Sequence, residues 1–208
     1  MIYQNHPPNG RVLDAGNEQQ GGADKTAQSR PSRGPDARRE PLLTIRRAMD
    51  AARFSLRIDP RQLDAASQAY GLAFPGKIGS TVTAGTRTAV CLGPDEWYLI
   101  GPHSEEESIE LEFASLYTTT VHSLVNISHR EIGIEVSGAA AAFALQSVIA
   151  FDVEAMPVGS NCRTLIDKVQ IILLREAADR FRIEVWHSFA DHVWHLLQTI
   201  SREIELGL

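Results

Sequence analysis

The sequence predicts an α+β domain built of antiparallel β-hairpins with helices packed on one face. Three observations predict it. Strand-like runs come in adjacent pairs joined by short, turn-rich links. After such a pair a helix-like run follows three times, beginning near Ser104, Gly138 and Ser188. Apolar residues make up 43% of the 208, enough for a substantial core. The three-fold echo is one of supersecondary grammar, not a solenoid repeat.

Residues 1–41 stand apart. They hold Pro7, Pro8, Pro31, Pro35 and Pro41, five glycines and few apolar residues without a period. Such a stretch buries too little surface to offset its ordering entropy, so it reads as a disordered polar tail. Residues 42–208 read as one α+β domain.

"FSLRID" (54–59) alternates apolar and polar residues, as a half-buried strand does. Pro60 permits a helix start, and "RQLDAASQAYG" ends on Gly71, a C-cap candidate. "STVTAGTRTAVCLG" reads as two strands around Ala84–Gly85, and "EWYLIG" as the next strand. "SEEESIELEFASLY" is a helix with Ser104 as N-cap candidate and glutamates in its first turn, where they complement the helix dipole. Ile109, Leu111, Phe113 and Leu116 form its expected apolar side. "VHSLVNIS" and "REIGIEVSG" are strands. The alanine-rich 139–153 run follows as a helix. Residues 164–176 form a strand region, "AADR" a turn and "FRIEVWHS" a strand. A closing helix covers 189–206, with Phe189, Val193, Leu196, Leu197 and Ile200 on its apolar side.

The formal net charge is −6, unevenly spread. Residues 1–47 carry +3 and residues 48–208 carry −9. An acidic folded part argues against a nucleic-acid backbone as partner. Arg38, Arg39, Arg46 and Arg47 are placed to steer the tail toward an acidic surface. Cys91 and Cys162 form no Cys-x-x-Cys pair and no zinc pattern, and reduced thiols are expected. The start lacks the features of a secretory signal, and no apolar run reaches membrane-spanning length. A cytoplasmic location is the expectation.

Several residues invite a catalytic reading. Asp95 and Glu96 sit beside Trp97, but neighbours on a strand point to opposite faces, and Asp95 after Gly93–Pro94 suits a turn. Ser128–His129–Arg130 lacks a nucleophile elbow and lies between two strands. His187, Asp191, His192 and His195 include two imidazoles three apart on a helix, yet no metal-ligand signature surrounds them. No glycine pattern cradles a nucleotide. No catalytic, cofactor-binding or metal residue is therefore assigned. Trp97, Trp186 and Trp194 are the candidate anchors, in the core or at an interface.

"CLGPDEWYLIGP", "LVNISHREIGIEVSG", "NCRTLIDKVQIILLRE" and "FRIEVWHSFADHVWHLL", in this order, resemble the γ subunit of heterotetrameric sarcosine oxidase. The likeness covers about residues 44–200. The hairpin "ISHR…IEVSG" and its following helix are also similar to the folate-binding domain of the glycine cleavage T-protein. The resemblance implies a complex of α, β, γ and δ subunits that oxidatively demethylates sarcosine with oxygen and tetrahydrofolate. The products are glycine, hydrogen peroxide and 5,10-methylenetetrahydrofolate. It implies NAD, FAD, FMN and folate on the large subunits and zinc on δ. It leaves γ without a cofactor, packed mainly on α. The alternative is a free-standing folate-binding one-carbon transferase of T-protein type.

Overall fold

The computed structural model describes residues 41–207. The expected polar tail therefore lies, but for Pro41, outside the described residues. The chain runs β1 (Thr44–Arg47), β2 (Ala51–Ile58), α1 (Leu63–Tyr70), β3 (Thr81–Ala84), β4 (Arg87–Gly93), β5 (Glu96–Pro102) and α2 (Glu106–Leu116). It continues β6 (His122–Asn126), β7 (Glu131–Ser137), α3 (Ala141–Gln146), β8 (Asn161–Ile166), β9 (Val169–Ala177), β10 (Arg180–Trp186) and α4 (His187–Leu206).

The strands form two five-stranded antiparallel sheets, ordered β1-β7-β10-β9-β8 and β3-β4-β5-β2-β6. Strand periodicity sorts their side chains into layers. Ile134, Val136, Phe181, Ile183 and Val185 face α3 and α4, where Ala144, Leu145, Val193 and Leu197 meet them. Phe54, Leu56, Trp97 and Leu99 face α1 and α2 and meet Ala66, Tyr70, Ile109 and Phe113. The alternate residues Val90, Tyr98, Ile100, Ile172 and Leu174 fill the space between the sheets. The order is helix, sheet, sheet, helix. Each sheet carries its helices on one face, as the sequence predicts. A bridge between Ser80 and Ser160, with Asn161 Nδ2 donating to Ser80 O at 2.9 Å, ties the two sheets at one edge.

Several elements end as expected for local reasons. Gly71, at φ 68°, closes α1 in the left-handed region that glycine enters freely. Asp59 caps the short turn before α1 by accepting from Arg61 N at 2.9 Å. Other expectations need correction. The residues before α2 form a 3₁₀ turn (His103–Glu105), so Ser104 lies inside that turn and is not the N-cap. Leu111 and Phe189 are exposed, whereas Ile109, Phe113, Val193, Leu197 and Ile200 are buried. The 139–153 helix is cut to Ala141–Gln146. Its continuation is held as a loop because other groups satisfy the loop's carbonyls. Asp167 N donates to Val148 O at 2.9 Å, and Arg175 Nη1 donates to Glu154 O and Met156 O at 2.7 and 2.5 Å. The strand region 164–176 is a hairpin, turned at Asp167 with φ 53°. An aspartate doing glycine's work left no glycine signal to read. β1 is a four-residue edge strand, too short to show a readable alternation in the sequence.

Candidate functional site

The most buried charges lie between the sheets. Glu184, on β10 with its side chain fully buried, receives Arg53 Nε at 2.6 Å and Arg182 Nε at 2.5 Å, one on each oxygen. Tyr98 OH from the facing sheet adds a third bond at 3.2 Å. Register explains the meeting: Glu184 pairs with Gly133 across β7, and a Cβ at Gly133 would come within 2.9 Å of Arg182 Nη2. Only a glycine leaves room there for the guanidinium. Burial, reinforced by the neighbouring Glu184 and Glu131 charges, holds the Tyr98 phenol well above its ordinary pKa. Burial opposes the charge on Arg182, but Glu184, with Glu176 and Tyr98, more than offsets it, so its pKa is raised. With an arginine on each oxygen and its side chain fully buried, this carboxylate is held as one half of a buried ion-pair network. The arrangement is a lock between sheets.

At one end of this network lies a cleft of about 400 Å³, bounded by Ala48 and Asp50, the Ser128–His129 turn, His103 and His187. Ser128 Oγ accepts Arg53 N at 2.9 Å, so the hydroxyl holds a turn to β2. Arg130 bonds Glu131 Oε1 at 2.9 Å and lies 5.4 Å over the Trp186 ring. Ser128 and Arg130 are thus engaged in structural contacts, and His129 borders the cleft.

The other candidates are also engaged. Asp95 sits in the β4–β5 turn, as expected, but its carboxylate and that of Glu96 do not diverge. Both converge on Arg57, at 2.8 and 3.0 Å, and Glu96 also takes Arg163. Arg57 on the neighbouring strand draws the two side chains together across the turn. On α4, His192 Nε2 meets Asp167 at 3.0 Å and His195 Nδ1 donates to Asp191 O at 2.7 Å. Asp191 pairs with Arg47 at 2.9 Å. These four groups do not share a centre, and no metal-binding cluster occurs among the described residues. Trp97 is a core residue whose Nε1 donates to Pro75 O at 2.9 Å. Trp194 is partly buried under Arg47, and Trp186 remains 45% exposed at the rim of the sheet interface.

Arg53, Glu131 and Glu184 were not singled out from the sequence. Their only signal is a charge at the polar phase of an apolar alternation, as in "FRIEVW", which normally marks a solvent face.

The sequence model of the "Sarcosine oxidase, gamma subunit family" matches residues 55–203. The chain belongs to that family. As a gamma-family member it is a subunit of a multi-subunit enzyme. No curated protein matches it by sequence. Among solved structures it is similar to a chain of heterotetrameric sarcosine oxidase from Corynebacterium sp. U-96, in complex with pyrrole 2-carboxylate. The TM-score is 0.69 and the identity 21%, over 77% of this chain and 84% of that one. It is also similar to the glycine cleavage system aminomethyltransferase T from Bartonella henselae, at a TM-score of 0.61 and 12% identity, over 75% of this chain. This chain spans 45% of that transferase's length. Both likenesses show the fold. None of the described helices is long and apolar enough to cross a membrane.

Proposed function

We propose that this gamma-family chain is a structural, non-catalytic subunit of a heterotetrameric, cytoplasmic sarcosine oxidase. In this reading the assembly oxidatively demethylates sarcosine with O2 and tetrahydrofolate, giving glycine, H2O2 and 5,10-methylenetetrahydrofolate. FAD, FMN, NAD, zinc and folate reside on the α, β and δ subunits, and this chain docks mainly on α. The observation that carries the reading is the family match over residues 55–203. The geometry is consistent with it: Glu184, the most deeply buried carboxylate of the sheet interface, has both oxygens bonded to arginines of its own chain.

The test is to co-express the four subunits and purify by a tag on this chain. Recovery of a yellow complex with sarcosine turnover is expected. A colourless chain that comes through alone and binds tetrahydrofolate tightly would replace this reading with that of a one-carbon transferase.

A further inference from the structure

We infer that the free edge of β6, with the groove between it and α2, receives an extended, basic segment of a partner subunit as an added strand. The inference rests on the subunit reading above.

β6 is an edge strand: it pairs with β2 and, among the described residues, with no other strand. Ile127 N donates to Arg53 O at 2.8 Å, which fixes the phase of the antiparallel ladder. Alternation then turns the N–H and C=O of Val125 and Ser123 toward β2. Those of Leu124 and Asn126 point to the open edge, where another strand can pair with them.

The groove beside this edge is apolar. Phe113 and Tyr117 of α2 and its following turn, with Leu124 of β6, line a space of about 270 Å³. Val121, at 84% exposure, directly precedes β6. Within it stands a polar group without a partner. His122 is only 5% exposed, and its Nδ1 donates to Thr120 O at 2.8 Å. In the neutral ring Nε2 therefore carries the lone pair, and it has no hydrogen-bond partner among the described residues. A buried acceptor of this kind lacks the donor that an incoming segment would bring. The charge of that segment is set by α2. Glu106 and Glu110 flank the groove, and Asn126 Nδ2 draws both carboxylates to it at 2.6 and 2.7 Å. Opposite charge on the incoming strand complements them.

The test uses the full complex recovered through a tag on this chain. Tyr117→Lys with Val121→Lys changes two exposed side chains and places positive charge in the groove and at the start of the β6 edge. At least tenfold less partner should be recovered, with an unchanged circular dichroism spectrum. Leu124→Pro removes an edge N–H that β2 does not use, and should act in the same direction. Should that proline variant misfold, amide exchange decides: Leu124 and Asn126 exchange fast in the chain alone and slowly in the complex. Full partner recovery by the double-lysine variant would overturn the inference, with the subunit reading intact. So would protection of these amides in the chain alone, through a second copy or its own tail. An unmutated chain that recovers no partner would sink both.

Discussion

Two groups of charges in this molecule invite opposite expectations. Asp191, His192 and His195 of α4 stand out in the sequence, yet each is taken at the surface: His192 by Asp167, His195 by its own helix, Asp191 by Arg47. Arg53, Arg182 and Glu184 look like ordinary solvent-facing positions of amphipathic strands, yet they meet at the centre of the fold. Clustering in sequence locates charges that neighbours can neutralise. Burial depends on what covers a strand's second face, and that is a property of the whole topology.

The sharpest way to break this contrast is Glu184→Ala. It strands two arginines in a buried layer, and removal of one partner of such a pair costs about 3–5 kcal/mol. A urea unfolding midpoint shows it; a loss below about 1 kcal/mol would place Glu184 with the surface charges. Next in size is Gly133→Ala. The new methyl would lie 2.8 Å from Ala48 Cβ and 2.9 Å from Arg182 Nη2, and overpacking of this kind costs about 1–3 kcal/mol. The same unfolding series measures it. The double variant His192→Ala with His195→Ala removes only exposed interactions, so stability should change by about 0.5 kcal/mol or less per site. The smallest effect belongs to Asp59, whose exposed carboxylate is held down to a pKa of about 2 by its hydrogen bonds with Arg61. A depressed carboxylate adds stability above its unfolded pKa and loses it as pH falls through the folded value. The loss should therefore develop as pH falls from the ordinary value of 3.8 to about 2, and an NMR titration of the Asp59 carboxyl, with its midpoint near 2, checks it.

The same physical distinction sets what the sequence made legible. The α+β class, the Gly71 cap and the β3–β4 hairpin at Gly85 follow from local chemistry and are seen in the structure. The β8–β9 hairpin was missed because Asp167 adopts a conformation usually marked by glycine. The end of α3 was missed because the group that holds the following loop, Arg175, lies on a strand far along the chain. The pairing of the sheets, and with it the Arg53–Glu184–Arg182 network, needed contacts that no window of sequence contains. The family motifs could be read because they are strings, whereas the lock between sheets is not.

The proposed role has this chain supporting an enzyme without touching its substrate. The most direct measurement is sarcosine turnover by the four-subunit complex when His103, His129 and His187, which border the cleft, are all changed to alanine. A supporting role leaves kcat and kcat/KM within about twofold of the unmutated complex, since loss of a working acid or base costs about a hundredfold or more. A hundredfold fall in a complex with full subunit and flavin content would contradict it.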